Sequence, residues 1–525
     1  MGTSSLWFHL FWLSFSALSS VSSSNVVEEI HRSQFPGNFL FGTSTSSYQI
    51  EGAAYEDGKG LNNWDVFSRI PGGIKDGHNG DVAADHYHRY KEDIDMMSSL
   101  GVNAYRFSIS WTRILPRGRL GDVNHEGIMF YNKLIDYLLL KGIEPFVTLH
   151  HFDIPQELED NYGSWLSPLM QDDFAYFADI CFRSFGDRVK YWVTINESVL
   201  YAYLAYFTKL YPPGRYCELL GECSGNPILD PISAVHNMIL SHAKATSIYK
   251  KHYQPKQGGY IGAVVSAPMY VPYSDEETDH EAAKRALAFK VAWFLDPLIH
   301  GDYPREMRRH LGNKMPKFKP EESDQMLKDG LDFIGVNQYT TFYAKDCLNN
   351  LSSPQCDVLQ GFVHATPEND GGFIGEPTSM PVIYVVPTGM EKMIKYLKER
   401  YNNKPMIVTE NGYPQENLGI GSQEDLLNDF KRVNYHKSYL SSLARAIKDG
   451  ADVRGYFAWS LLDNFEWTYG YTLRFGLHHV DFTTLKRTPK LSAKWYTSFL
   501  TGNNTNTYIN QNSSSDSARA TSHAV

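Results

Sequence analysis

Five cysteines in 525 residues are too few for a scaffold built from disulfides. Basic residues number 49 against 59 acidic ones, and the formal net charge of -10 is spread without any Lys/Arg-rich block. A nucleic-acid binder needs a basic stripe to meet phosphates, so nucleic acid is not an expected partner. No G-x-G-x-x-G turn follows any early strand-like run, which leaves dinucleotide binding without support. No Cys and His stand at metal-ligand spacing. The adjacent His150 and His151 cannot both point inward from a strand, because neighbouring side chains take opposite faces. Neither a metal nor a cofactor is expected. Beyond the first two dozen residues no apolar run is long enough to cross a bilayer, so no membrane association is expected.

Hydrophobic residues make up 42% and aromatic residues 14% of the chain, enough to bury a large core. The apolar stretch Leu6 to Leu18, followed by the small-residue run Ser19 to Ser24, has the layout of a secretory signal peptide, so residues 1–24 are expected to be removed. Sequons at Asn350, Asn503 and Asn512 fit export as glycosylation sites. A fourth, Asn196-Glu197-Ser198, falls at the end of an apolar run, where burial would keep a glycan away. Cys217 and Cys223 lie close together in a polar stretch and are the first choice for a disulfide; Cys347 and Cys356 bracket another polar loop and could pair likewise. Cys181 shares a helical apolar face with Phe174, Phe177, Phe182 and Phe185, the setting of an inert core thiol. Residues 503–525 are rich in Asn, Ser and Thr and bury too little to order themselves, so a disordered tail is expected.

Eight short apolar, β-branched or aromatic runs recur between helical stretches: "NFLFGTSTSS", "NAYRFSIS", "EPFVTLHHF", "YWVTINES", "YIGAVVSAP", "DFIGVNQY", "PMIVTENG" and "VRGYFAWS". Strands alternating with helices imply parallel pairing, and eight such units closing on themselves make an α/β fold, the (β/α)8 TIM barrel, as a single domain over residues 25–502. The surplus length is assigned to long loops near Tyr211 to Pro231, Asp346 to Pro381 and Asn464 to Asp481.

In such a barrel the active site lies at the C-terminal ends of the strands. Glu197 ends the fourth strand and Glu410 the seventh, and barrel closure brings both to one mouth. A single strand-end Glu is ordinarily a solvated residue or half of an ion pair. Here Gln49, His151, Asn196, Asn337, Tyr339, Trp459, Glu466 and Trp467 also fall at or just beyond strand ends. Amides, carboxylates and an imidazole pair with sugar hydroxyls, and indoles pack on the C–H face of a pyranose. Two facing carboxylates with that company suggest glycoside hydrolysis.

The chain resembles glycoside hydrolase family 1, in particular its plant β-glucosidases, from Phe39 to about Leu500. The resemblance is carried, in the family's order, by "FLFGTSTSSYQIEGAAYEDGKGLNNWDVF", "YRFSISWTRILP", "LHHFDIPQ", "TINE", "VTENG" and "FAWSLLDNFEW". It implies Glu197 as general acid/base and Glu410 as nucleophile of a retaining β-glucosidase. It also implies that Gln49, His151, Asn196, Trp459 and Glu466 grip the glycone with Trp467 beside them. Arg106, Asn337 and Tyr339 would support the nucleophile, with Tyr339 also among the substrate-binding residues. The substrate implied is a small neutral glucoside. The leader-like residues 1–24 put the protein itself on the secretory pathway, bound for the outside of the cell, the cell wall or a vacuole. Two positions depart from the family pattern: Ser198 stands where Pro is usual, and Val382 where plant members carry a Trp that stacks on the aglycone. With that wall gone, Tyr206, Phe207, Tyr211 and Phe373, placed on the long loops, are the candidate aromatic walls. An aryl or phenylpropanoid aglycone, such as that of a monolignol glucoside, is expected. The alternatives are a transglucosidase on the same fold, and a catalytically silent carbohydrate-binding or storage protein. The oligomeric state is open.

Overall fold

Eight strands close into one barrel in the computed structural model, which describes residues 29–214, 225–416 and 423–502. They are β1 (Leu40–Ser44), β2 (Ala104–Ser108), β3 (Glu144–His150), β4 (Tyr191–Asn196), β5 (Tyr260–Ser266), β6 (Phe333–Asn337), β7 (Met406–Asn411) and β8 (Val453–Trp459). Each pairs in parallel with the next in the chain, and β8 closes on β1 with Ser44 opposite Trp459. This is the (β/α)8 TIM barrel read from the sequence, and its strands are the eight runs quoted above. Parallel strands covered by helices are buried on both faces, which is why these runs are nearly continuously apolar rather than alternating.

The end of the barrel opposite the strand C-termini is plugged by one residue from each strand: Leu40, Ala104, Phe146, Val193, Val264, Phe333, Ile407 and Phe457. Phe146 is its hub, stacked on Tyr191 at 5.3 Å and tilted against Phe457 at 5.1 Å and Phe333 at 5.6 Å. Outside the barrel, helix α1 (Leu169–Phe185) turns Met170, Phe174, Phe177, Cys181, Phe182 and Phe185 inward at three- and four-residue spacing. Cys181 is a free, buried thiol there, as the helical pattern implied.

Beyond β4 the chain runs straight into helix α2 (Ser198–Ala202) and a π-helical turn through Tyr203–Phe207. The sequence reading had put Tyr206 and Phe207 on a loop. The helix continues instead and carries Tyr206 into the core, edge-on to Tyr201. The stretch from 346 to 381 holds short β-ladders, and Cys347 and Cys356 are disulfide-bonded across its first turn, with Cα atoms 5.8 Å apart. The preferred pair, Cys217 with Cys223, lies outside the described residues, as do residues 1–24, Asn503, Asn512 and the rest of the 503–525 tail. Asn350 sits on an exposed turn, whereas the Asn196-Glu197-Ser198 sequon is buried throughout. Among the described residues no helix is long and apolar enough to cross a membrane.

Removing the hub of the plug should destabilise the protein without touching the strand C-termini. Phe146→Ala is expected to cost about 3–5 kcal/mol, the usual range for a buried Phe whose cavity cannot collapse. Equilibrium denaturation measures it, and a loss under about 1 kcal/mol would show that the layer repacks around the gap.

Candidate active site

Arg106, on β2, is 0% exposed at the centre of the barrel mouth. Its guanidinium donates to Oε1 of Glu410 at 2.6 Å through Nη1, to Oδ1 of Asn196 at 2.7 Å through Nη2 and to Oγ1 of Thr148 at 3.1 Å through Nε. The other oxygen of Glu410 accepts from the Tyr339 phenol at 2.8 Å. Asn337 donates to Oδ1 of Asn196 at 3.2 Å and accepts from the Thr409 hydroxyl at 2.7 Å. Side chains from β2, β4, β6 and β7 are thereby tied into one network.

The alternation of the strands breaks where these side chains emerge. Register shifts occur between Val193 and Asn196 in the β4–β5 pairing, and between Val408 and Glu410 in the β6–β7 pairing. Bulges of this kind bend a strand and re-aim its next side chain. Glu197 follows directly in a left-handed conformation, φ 48° and ψ 47°, which costs a non-glycine residue on the order of 1–3 kcal/mol. Its amide donates to the carbonyl of Val264 at 2.9 Å, fixing the turn against β5.

Burial raises the pKa of Glu197, the charge of Glu410 raises it further, and together they carry it to about 8; Asn337, Arg106 and Ser266 pull the other way. Glu197 is therefore protonated at neutral pH, beside a carboxylate held by Arg106 and Tyr339. Two carboxyl groups in opposite protonation states can deliver a proton and a nucleophile to the two sides of one bond.

Around this pair stand the remaining residues. Gln49 donates through Nε2 to Oδ1 of Asn464 at 3.0 Å and to the carbonyl of Phe465 at 2.9 Å, with Oε2 of Glu466 at 3.5 Å, and it accepts from Ser46 at 2.6 Å. Burial first, then the charges of Glu410 and Glu197, raise Glu466 to about 8. The ring of His151 lies nearly parallel to those of Trp459 (5.8 Å) and Trp467 (6.1 Å). Burial drives its pKa well below the imidazole range, helped by Arg106 and His150, so the ring is neutral. Because Oδ1 of Asn196 accepts from Arg106, its amide nitrogen faces Nε2 of His151 at 3.4 Å. The ring proton then sits on Nδ1, which has no protein partner. His150 points away, packed edge-on to Trp165 and Tyr201, so the two histidines do diverge. The residues singled out for catalysis, substrate binding and nucleophile support all gather at this mouth, and the imidazole, the indoles and the unengaged hydrogen-bonding edges suit a hydroxylated ring.

Comparison with known proteins agrees with this geometry. The family model "Glycosyl hydrolase family 1" matches residues 31–505. The chain belongs to glycosyl hydrolase family 1. It is 54% identical, over 91% of its length and 92% of the relative's, to a protein of Oryza sativa subsp. japonica named "Probable inactive beta-glucosidase 14". It is 50% identical to the coniferin β-glucosidase of Pinus contorta, over 90% of this chain and 93% of that one. Among solved structures, a mutant of a rice β-glucosidase in a covalent complex with Glc superposes with a TM-score of 0.85 at 45% identity, covering 90% of this chain and 99% of the other.

The departures from the family pattern occupy distinct places. Ser198 starts α2 with its hydroxyl buried and unpartnered, so it takes the turn position of a proline without adding a contact. Val382 is 54% exposed, while its neighbours Met380 and Ile383 pack with Trp459, Phe475 and Tyr339 beneath it. Phe373, 58% exposed, stacks on Tyr384 at 6.2 Å. Tyr211 packs against Trp64, Phe152 and Trp467; burial raises its pKa, and the nearby Glu466 and Glu197 raise it further. Sequence reasoning overlooked Asn464 and Thr409. Asn464 could have been suspected from its place two residues before Glu466 in "DNFEW", whereas nothing about Thr409 distinguishes it from an ordinary strand residue.

The electrostatic coupling predicts a direct shift. In Glu410→Gln, which keeps the shape and removes the charge, Glu197 should lose its proton at lower pH than in the parent protein. Difference infrared spectroscopy of the carboxyl band during a pH titration measures it; an unchanged midpoint near 8 would show that burial alone sets the value.

Proposed function

We propose that this chain is a retaining β-glucosidase that hydrolyses a small aryl or phenylpropanoid glucoside through a covalent glycosyl-enzyme intermediate. The observation that carries the reading is the asymmetric carboxyl pair: Glu410 held by Arg106 at 2.6 Å and Tyr339 at 2.8 Å, beside Glu197 raised to about 8. In the first half-reaction Glu410 attacks the anomeric carbon while Glu197 passes its proton to the departing glycosidic oxygen, so the aglycone leaves as a neutral alcohol. Formation of the glycosyl ester removes the charge of Glu410, and Glu197 becomes more acidic. In the second half-reaction Glu197 takes a proton from water as the water oxygen attacks the same carbon, releasing β-glucose and restoring both groups.

Gln49, His151, Asn196, Glu466 and Trp459 are the proposed glycone contacts, with Trp467 beside them. The covalent complex with Glc formed by the rice relative supports the two-step route. The name of the Pinus contorta relative, together with the aromatic surfaces of Tyr211 and Phe373 and the absence of an indole at Val382, supports a phenylpropanoid aglycone. The leader-like residues 1–24 and the exposed Asn350 sequon support an enzyme of the secretory pathway, acting outside the cell, in the cell wall or in a vacuole.

The rice relative named as inactive favours a second reading, a barrel that binds sugars without cleaving them. The intact Glu197, Glu410 and Arg106 weigh against it, and one experiment separates the two. Glu197→Ala should slow deglycosylation by about 10²–10⁴-fold, spare substrates with activated leaving groups, and be accelerated by azide to give a β-glycosyl azide. An inactive parent enzyme would support the silent barrel, and an α-azide would contradict retention.

The aglycone slot has its own test. An aromatic pair contributes about 0.5–1.5 kcal/mol beyond burial, so Val382→Trp should shift kcat/KM between slim and bulky aglycones by up to roughly tenfold and leave the glucose-to-galactose ratio unchanged. A change confined to that sugar ratio would put residue 382 on the glycone instead.

A further inference from the structure

The two groups that flank the proposed nucleophile are themselves held from behind by one helix. Helix α3 (Phe430–Lys448) follows β7 and packs its inner face against the strand ends. From it the Tyr435 phenol donates to the main-chain carbonyl of Tyr339 at 3.1 Å and accepts from Nδ2 of Asn411 at 3.0 Å. Tyr339 is the residue whose own phenol donates to Glu410, and Asn411 is the residue after Glu410. A single hydroxyl therefore bridges the chain on both sides of one carboxylate.

The bridge is reinforced on each side. One turn along the helix, Tyr439 donates to the same Tyr339 carbonyl at 3.0 Å and accepts from the amide of Val386 at 3.0 Å, and its ring stacks on that of Tyr435 at 4.1 Å. Asn411 also donates to the carbonyl of Gln338 at 2.6 Å and accepts from the Tyr456 phenol at 2.7 Å, which in turn meets Nδ1 of His436 at 2.7 Å. Both hydrogen-bonding capacities of the Tyr435 hydroxyl are used, one partner (Asn411) buried and the other (Tyr339) partly buried, so losing it leaves a buried amide with an unmade bond.

We propose that Tyr435 is a positioning residue for the glycosidase reaction, setting the placement of Glu410 by clamping Tyr339 and Asn411 to helix α3. This rests on the reading of Glu410 as nucleophile. Tyr435 touches neither substrate nor reacting atoms; it acts through Tyr339, whose phenol must meet one carboxylate oxygen while Arg106 holds the other. Relaxing the clamp frees the Tyr339 main chain on one side and Asn411 on the other, and attack geometry is sensitive to displacements well under 1 Å. Substrate binding depends on other residues, so the effect should fall on kcat rather than on KM.

The test uses the full chain and four variants: Tyr435→Phe, Tyr339→Phe, the double variant, and Glu410→Ala. Tyr435→Phe is expected to lower kcat about tenfold with KM within about twofold, and to slow covalent inactivation by a 2-fluoro-glucoside by the same factor. The double variant should lose less than the product of the two single losses, because Tyr435 works partly through Tyr339. Unchanged kcat and inactivation rate in Tyr435→Phe would overturn the proposal, as would single losses that multiply fully in the double variant. A thermal shift with parent-like kinetics would also overturn it, leaving only a structural role. Should Tyr435→Phe fail to fold, Tyr439→Phe removes one donor to the same carbonyl and is expected to lower kcat about threefold at constant KM; no effect there counts against the clamp. Parent-like activity in Glu410→Ala would instead overturn the nucleophile assignment, which keeps the two failures distinct.

Discussion

Arg106 carries its charge at the centre of the barrel with no exposure to solvent, and that charge has to be answered by groups around it. An unpaired buried cation is so costly that the surrounding structure is organised to satisfy it. Glu410 supplies the counter-charge, Asn196 and Thr148 supply neutral acceptors, and three strands beyond β2 are drawn into one geometry by those bonds. The result also sets the electrostatics. Burial, and then the charge of the Glu410 that Arg106 pairs, raises the pKa of the neighbouring Glu197 to about 8.

The support reaches well behind the carboxyl groups. Thr409 orients Asn337, Asn337 orients Asn196, and Asn196 in turn fixes which nitrogen of His151 carries a proton. On the opposite side, helix α3 grips Tyr339 and Asn411. Because these side chains hold one another in a connected and mostly buried network, they have few alternative rotamers, so the site is organised before any sugar arrives. Such preorganisation is what lets fixed dipoles and charges act on a reacting centre without reorganising during the reaction.

Family membership and overall identity do not decide activity. A relative 54% identical over nearly its whole length is named "Probable inactive beta-glucosidase 14", while one 50% identical is named as a coniferin β-glucosidase. The plug of one side chain per strand and the helices outside pack apart from the mouth. Function rests on a handful of side chains at the mouth, and in this chain those side chains are present and connected.

The sequence by itself determined the eight strands, the closed parallel barrel and the set of polar residues at the strand ends, because an apolar run flanked by helical segments has few ways to be buried and the motifs mark where each run stops. It also marked Glu197, Glu410 and the polar and aromatic residues around them, since these residues stand in local motifs such as "TINE", "VTENG" and "DNFEW". Only the tertiary structure decided what each side chain faces. The bulges in β4 and β7 break the two-residue alternation just where it would have been extrapolated, and Tyr206 left its expected loop because the helix after Glu197 runs on by one π-helical turn. The disulfide between Cys347 and Cys356 could not be ranked from spacing, because pairing depends on how the turn folds back. Tyr435 and Tyr439 stayed invisible for a related reason. They read as ordinary residues on the buried face of a helix, and their hydroxyls acquire meaning only when barrel closure sets that helix against carbonyls about a hundred residues earlier in the chain.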